Sequence, residues 1–291
     1  MNEYPLIQIF CDGNTEIGFG HVRRSSALAA YLCDRSIPAV LTGLSKDSKD
    51  LLPNSNFSDE MVKVAVFDSM SGIEDLILSF QKKGIKTLTL DWFGDIISDI
   101  NIVVFPHQEA KALSKSYVGF ENIIIRDEIL SLTKMHFSGR SEKVVISLGG
   151  GDLLGQSLKA AEILVSQGFN VTLIKGPLAK IDKGKCNFPV LINPSNFPEI
   201  LNSCDWAVTN GGGCFFEALY LGKPAFVLPQ TDMELKVANY VNQYNAILGI
   251  GIENIVNINK TIFETVSQNG MKLIDGNGLS RIASIIKGLL C

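Results

Sequence analysis

The sequence predicts an α/β protein made of two tandem, doubly wound, Rossmann-like domains. Short runs rich in Val, Ile and Leu alternate with amphipathic stretches along the chain, which is typical of buried parallel strands joined by helices. The 291 residues allow two domains, at a usual size of about 150 residues each. A polar stretch without a clear period, 133–142, interrupts the alternation. We therefore place the domains at 1–137 and 138–291, with a single large sheet as the alternative.

Each predicted element follows from its local pattern. The first domain repeats strand then helix, and the apolar runs predict strands at 6–11, 39–41, 62–67, 87–90, 102–105 and 122–125. Its helices are predicted at 21–34 and 73–83, the second ending before Gly84 because glycine commonly terminates helices. After the linker the same pattern predicts strands at 144–148, 171–175, 206–209 and 225–228, and helices at 155–167 and 214–221.

Composition excludes several classes of protein. Hydrophobic residues make up 46% and charged residues 19%, which indicates a globular chain rather than a disordered one. Lysine and arginine total 26 against 30 aspartates and glutamates, a net charge of −4, so we expect no nucleic-acid partner. The six cysteines form no CxxC pair and have no zinc-like spacing to histidine, so we expect reduced thiols.

The N-terminal apolar stretch 5–11 is too short, and too soon followed by Asp12 and Glu16, for a signal peptide. No run approaches the roughly 18 apolar residues that a membrane-spanning helix needs. We therefore expect a soluble, cytoplasmic protein without a transmembrane segment.

The first unusual loop, 12–24, reads DGNTEIGFGHVRR and joins the first strand to the first helix. Gly18 and Gly20 allow the backbone to approach a ligand closely, and the helix beginning near His21 presents free N–H groups. The helix dipole disfavours a protonated histidine there, so a neutral His21 can act as a general base. The alternative is that His21 only caps the turn. Arg24 could bind an anion or could simply be solvated.

Two further loops lie between a strand and a helix. SLGGGD at 147–152 lacks the GxGxxG and GxxxxGK[ST] spacings, which argues against a dinucleotide fold and a nucleotide triphosphatase, but its amides can contact phosphate. TNGGGCFFE at 209–217 exposes three glycine amides at a helix N-terminus, which suits a diphosphate. Glu217 could hold ribose hydroxyls, or could be a first-turn glutamate favoured by the helix dipole. No DxD pair or His/carboxylate cluster occurs, so we expect no catalytic metal.

Together these motifs resemble the GT-B nucleotide-sugar enzymes, and within them the PseG family of UDP-2,4-diacetamido-2,4,6-trideoxy-β-L-altropyranose hydrolases of pseudaminic acid biosynthesis. The resemblance covers most of the chain. It rests on Asp12 with IGFGHVRR at 17–24, LDWFGD at 90–95, IIIR at 123–126, SLGGGD at 147–152, NGGGCFFEALYLGKP at 210–224 and DGNGLSRI at 275–282. Phe10 stands where the family has arginine, Met70 where it has tyrosine, and 231–236 where it has Asn-Gln.

The resemblance implies a GT-B fold whose two domains face a cleft, with the last helices crossing back onto the first domain. It implies that His21 is the general base, that the substrates are a UDP-linked amino sugar and water, and that no cofactor or metal takes part. The implied substrate-binding residues are Asp12, Gly18, Gly20, Arg24, Gly149, Gly150, Gly151, Asp152, Asn210, Gly211, Gly212, Gly213 and Glu217.

Two other functions fit the same motifs. A GT-B glycosyltransferase would pass the sugar to an acceptor other than water, and such enzymes often carry an apolar or basic patch near the acceptor site. The sequence shows no clear patch of this kind in the first domain, which favours hydrolysis. A non-catalytic nucleotide-sugar-binding protein is the other alternative, and the presence of His21 argues against it.

Overall fold

A computed structural model describes residues 6–14, 18–52, 61–113, 115–134, 137–177, 179, 184 and 186–290. Contacts divide the chain into a first unit, Met1–Ile124 with Asn277–Cys291, and a second unit, Ile125–Gly276. Each unit contains a six-stranded sheet in which every strand pair is parallel. The predicted class, two doubly wound α/β domains, is confirmed.

The sheet of the first unit has the order β2-β1-β3-β4-β5-β6. Its strands are β1 (Leu6–Cys11), β2 (Ala39–Gly43), β3 (Val62–Asp68), β4 (Lys86–Leu90), β5 (Ile100–Val103) and β6 (Ser116–Val118). Its helices are α1 (Gly20–Cys33), α2 (Lys46–Leu51), α3 (Glu74–Lys82) and, from the end of the chain, α10 (Gly278–Leu289). All six residues of β1 are buried, because apolar clusters cover both faces of the sheet.

The sheet of the second unit has the order β12-β11-β10-β7-β8-β9. Its strands are β7 (Lys143–Ser147), β8 (Asn170–Lys175), β9 (Val190–Ile192), β10 (Trp206–Thr209), β11 (Ala225–Val227) and β12 (Gly249–Ile250). Its helices are α4 (Asp127–Leu130), α5 (Gln156–Ser166), α6 (Phe197–Ser203), α7 (Gly213–Tyr220), α8 (Asp232–Asn242) and α9 (Phe263–Leu273). Trp206, fully buried, packs edge to face against Phe169 and Phe263 in the core.

Strand order places the unusual loops at functionally favoured positions. In the first unit the chain runs from β1 to β2 on one side and then returns to β3 on the other, so the direction of winding reverses between β1 and β3. In the second unit the same reversal falls between β7 and β10. Ligands of open α/β sheets bind beyond the carboxyl ends of the strands at such points. The loops after β1, β7 and β10 are the ones that the sequence singles out.

The structure differs from the sequence prediction at residues 122–125, where no strand forms. The edge strand is Ser116–Val118 instead, and Ile123–Ile125 is buried without pairing to the sheet. The backbone at Ile123 lies directly against Gly278, at the start of α10. The apolar run is therefore explained by a helix packed on it rather than by strand neighbours.

The unit boundaries also differ from the predicted 1–137 and 138–291. Residues 125–137 belong to the second unit, where Arg126 pairs with Glu217. The final segment belongs to the first unit because α10 buries Leu279, Ile282 and Ile286 in the cluster that covers its sheet. Such long-range packing leaves no mark in a local pattern. Among the described residues, no helix is long and apolar enough to cross a membrane.

Candidate active site

The centre of the first unit's site is a network of buried charges around His21. His21 and Arg24 lie one turn apart on α1, whose first turn follows the glycine-rich loop. His21 Nδ1 lies 2.6 Å from Asp68 Oδ1. Arg24 donates to both oxygens of Asp68 and, through its other terminal nitrogen, to Asp91. Ser25 Oγ donates to Asp68 Oδ2 over 2.8 Å.

Asp68 remains ionised in this network. Burial alone would raise its pKa, but the charge of Arg24 and the hydrogen bonds from Arg24 and His21 hold the pKa well below its usual range. The pKa of Arg24 is raised in turn, because Asp68 and Asp91 outweigh the burial of the guanidinium. A carboxylate without a proton can only accept hydrogen bonds.

The ionised Asp68 determines which nitrogen of His21 carries the proton. At 2.6 Å from a carboxylate oxygen, Nδ1 must be the protonated nitrogen, because two lone pairs would repel at that distance. The Arg24 terminal nitrogen at 3.2 Å from Nδ1 is then a neighbour rather than a donor to it. In the neutral imidazole the lone pair is then on Nε2, which has no partner among the described residues. A histidine oriented in this way is equipped to accept a proton.

Arg24 does not have the anion-binding position that the sequence suggests. Its side chain is 6% exposed, and its guanidinium is directed at two carboxylates and stacks over the ring of Phe105. In the structure its charge is compensated by Asp68 and Asp91, and its contact with substrate stays a prediction. The sequence pattern singled out Arg24 but did not predict that Asp68 and Asp91 are its partners.

Sequence reasoning missed Asp68 and Asp91 as site residues. Asp68 ends β3, and Asp91 follows β4 with a left-handed φ of +52°. This backbone directs Asp91 Oδ1 toward the amides of Val104 and Phe105, at 2.7 and 3.0 Å, while Oδ2 accepts from Arg24. A usable signal was present, since both aspartates come directly after predicted neighbouring strands.

The other predicted residues of this loop lie around the network. Asp12 Oδ1 accepts from the amides of Gly13 and Ser45, at 2.8 and 3.3 Å, so it ties the loop to the start of α2. Burial raises the pKa of Asp12, but the hydrogen bonds from Ser45 and Gly13 have the larger effect, so the pKa lies below its usual value. Gly18 has a φ of +74°, which favours glycine, and Gly20 has open space where a Cβ would lie. Ile17, the first residue of the motif, lies outside the described residues.

In the second unit, the loops after β7 and β10 lie against each other. Gly149 has a φ of +72°, and a Cβ there would lie 3.3 Å from the side-chain nitrogen Nδ2 of Asn210. Gly150 and Gly151 are half-buried. Helix α7 begins at Gly213, and its N-cap residue Gly212 has no side chain that could accept from the first-turn amides. Such a helix start can bind an anion.

Asp152 caps a helix, which differs from its predicted contact with substrate. Its Oδ1 accepts from the amide of Gln156 over 2.8 Å, and its Oδ2 from the amide and hydroxyl of Ser157, at 2.9 and 2.6 Å. These are the first residues of α5. The carboxylate thus satisfies amides that would otherwise face a ligand.

We expect Asp152→Ala to lower the free energy of unfolding by about 1 kcal/mol, the usual effect of losing a helix cap. Urea unfolding followed by circular dichroism measures it. Glu162→Ala, an exposed position on the same helix, is the matched control. Loss of nucleotide affinity without loss of stability would instead indicate that Asp152 binds the ligand.

Glu217 forms a two-bond ion pair with Arg126. Arg126 Nε lies 2.6 Å from Glu217 Oε1, and a terminal nitrogen of Arg126 lies 2.9 Å from Oε2. Glu217 is 4% exposed. Burial lowers the pKa of Arg126, but the bond and charge of Glu217 raise it more. Each oxygen predicted to hold a ribose hydroxyl thus already accepts from the arginine of the IIIR motif.

We expect Glu217→Gln to lower the free energy of unfolding by about 1–3 kcal/mol, because a buried charged donor loses its ionic partner. Denaturant midpoints compared with those of Glu128→Gln, an exposed glutamate on α4, measure the effect. A variant as stable as the control but with weakened nucleotide binding would restore the ribose interpretation.

The chain is similar to several known proteins in sequence and in fold. No protein family model matches the chain. The chain is 23% identical to the spore coat polysaccharide biosynthesis protein SpsG of Bacillus subtilis, over 97% of the chain and 98% of SpsG. It is similar in structure to the glycotransferase of kitacinnamycin, with a TM-score of 0.69 and 14% identity over the whole of both chains. It is also similar to MnaA of S. aureus in its structure with UDP, with a TM-score of 0.62, 13% identity and coverage of 98% and 96%. These likenesses confirm the GT-B fold.

Proposed function

We propose that the protein is a nucleotide-sugar hydrolase in which His21 activates a water molecule for attack on the anomeric carbon. The observation that carries the proposal is the His21–Asp68 pair, which leaves Nε2 as a free base at the switch point of the first unit. General bases of this kind contribute about 100-fold to 10,000-fold to a rate.

In the proposed reaction, residues of the two glycine-rich loops have separate roles. The water oxygen forms a bond to the anomeric carbon, its proton passes to His21 Nε2, and the bond from that carbon to the diphosphate oxygen breaks. Asp68 stabilises the resulting imidazolium. The amides of Gly211 to Gly213 take the charge of the departing diphosphate, which is why we expect no requirement for a metal ion.

The substrate class follows from the relatives and from the motifs. SpsG is named for polysaccharide biosynthesis and MnaA was solved with UDP, which supports a nucleotide-sugar as the ligand. The resemblance to the PseG family supports a UDP-linked 2,4-diacetamido-2,4,6-trideoxy sugar. The product would enter pseudaminic acid or surface polysaccharide biosynthesis.

Sugar transfer is a second candidate, because the first unit exposes apolar side chains in the loops that follow β3 and β4. Met70, Phe93 and Ile97 are 52%, 41% and 61% exposed, and they follow β3 and β4. The sequence showed no clear patch here, so the structure weakens one reason for preferring hydrolysis. An acceptor with an apolar portion would suit these side chains, and His21 would then deprotonate its hydroxyl group.

Phosphorus NMR of the purified protein with UDP-linked and other nucleotide-linked amino sugars, without acceptor and with EDTA, tests the proposal. We expect free UDP and a reducing sugar, and in 18O-labelled water the label should enter the sugar. Label in UDP would mean attack at phosphorus, which contradicts the assigned role of His21. Binding without release would favour transfer or a non-catalytic binding protein.

A further inference from the structure

Glu234 lies beneath the glycine loop of the second unit. It belongs to the first turn of α8, and its Oε1 accepts from Asn210 Nδ2 while its Oε2 accepts from the amide of Gln230 over 2.7 Å. A Cβ at Gly211 would lie 3.2 Å from Glu234 Cβ, and one at Gly212 would lie 3.7 Å from Oε1. The carboxylate is therefore next to the amides assigned to the diphosphate.

Glu234 also joins the loops that follow three strands. Asn210 follows β10, and Gln230 follows β11. The side chain of Gln230 accepts from the amide of Leu154, in the loop after β7, over 3.0 Å. Through these hydrogen bonds, Glu234 is connected to the loops that follow β7, β10 and β11.

The contacts of Glu234 are all uncharged. Its carboxylate accepts from Asn210 and Gln230, and its backbone amide donates to the hydroxyl of Thr231, the N-cap residue of α8. Of the titratable groups around it, Asp232 and Lys236 lie exposed on its own helix, Asp152 caps α5, and Cys214 lies in the first turn of α7. Burial raises the pKa of Glu234 to about 7, although the bonds from Gln230, Thr231 and Asn210 lower it.

The protonation state of Glu234 determines how Asn210 is used. With an ionised carboxylate, Asn210 Nδ2 donates to Oε1, and Asn210 Oδ1 faces the Gly212 amide at 3.4 Å. A protonated carboxyl must donate its hydrogen, and Oε2 already faces the Gln230 amide, so the donor is Oε1. The Asn210 amide then turns to present its oxygen to that proton. This movement releases the Gly212 N–H and removes a negative charge beside it.

We propose that Glu234 is a positioning residue that couples binding of a nucleoside diphosphate at Gly211–Gly213 to the uptake of one proton. The proposal rests on the proposed function for its ligand. An anion favours both the released Gly212 amide and the uncharged carboxyl, so it binds best to the protonated form. The affinity for the nucleoside diphosphate is therefore highest at low pH, where Glu234 is protonated, and it falls as rising pH ionises Glu234.

Isothermal titration calorimetry with UDP between pH 6 and pH 9, in buffers of different ionisation enthalpy, tests this coupling. For the wild-type protein we expect the Kd to rise about tenfold per pH unit above pH 7, with nearly one proton taken up at pH 8. Glu234→Gln should remove both effects, and Asp232→Asn, two residues away, should retain them. Titration of the UDP phosphate itself is common to all three proteins and cancels.

Each result is decisive. UDP binding with no proton uptake by the wild-type protein, or with the same pH profile in Glu234→Gln and wild type, overturns the role of Glu234 and leaves the hydrolase proposal standing. The number of protons that the wild-type protein takes up on binding UDP is measured without any variant. This part of the test is therefore available even if Glu234→Gln fails to fold. Binding of neither UDP nor inorganic pyrophosphate at any pH overturns this proposal and the nucleotide-sugar assignment together.

Discussion

Replacing His21 with alanine is expected to lower turnover of the nucleotide-sugar by at least about 100-fold. The variant lacks the Nε2 lone pair that accepts the proton from water, whereas the proposed diphosphate site in the second unit is untouched. We therefore expect the Kd for UDP to stay within about twofold of the wild-type value. Initial rates of UDP release and calorimetric binding, measured on the same preparation, separate the two quantities.

The control for His21→Ala is Arg23→Ala, which changes an exposed side chain in the same turn of α1. It should retain the wild-type rate. Added imidazole should restore part of the rate of His21→Ala if the missing group is a base. An unchanged rate in His21→Ala would remove His21 from the mechanism and favour a base elsewhere in the first unit.

The sequence was most informative where one local pattern determines the outcome. Runs of buried apolar residues predicted most strands, and the strand at Trp206–Thr209 has the predicted bounds. The GFGH turn identified the start of α1 to within one residue, because glycine and a helix N-terminus have strong local signatures. Strand order has no such signature, so the position of β1 beside β3 became known only from the structure.

Partners far apart in the chain explain the contacts at the site that the sequence did not predict. Asp68 is 47 residues from His21, and Arg126 is 91 residues from Glu217. A polar residue near a helix start can face a ligand or can bind another part of the same chain, and its neighbours in sequence do not distinguish the two. Arg24 and Asp152 were predicted to bind substrate, and the structure shows that their charged groups also bind distant or neighbouring protein groups.

The role proposed for Glu234 could not be predicted from the sequence. The segment 231–236 was identified as a departure from the family pattern, but its residues offered no chemical role. Only the packing of α8 beneath the loop after β10 brings the Glu234 carboxylate to Asn210. The sequence therefore shows Glu234 only as a substitution, and the fold shows that this half-buried acid lies beside the glycine loop.

Replacing Arg24 with methionine is expected to lower the free energy of unfolding by about 3–5 kcal/mol. Methionine fills a similar volume, but Asp68, which is fully buried, then loses the guanidinium that compensates its charge. An unpaired buried carboxylate is far more costly than an absent ion pair. Urea unfolding of the variant beside Arg23→Met, which should stay within about 0.5 kcal/mol of wild type, measures the difference.

The pH dependence of the same variant identifies the cause. In the wild-type protein the pKa of Asp68 is lower in the folded chain than in the unfolded chain, so its contribution to stability is present above about pH 4 and is lost as the pH falls. Without Arg24 the folded-state pKa of Asp68 should rise, because burial then acts with less opposition. The deficit of Arg24→Met should therefore be largest near pH 7 and should shrink in acid. A deficit that is constant with pH would mean that lost packing, such as the contact with Phe105, outweighs the lost charge.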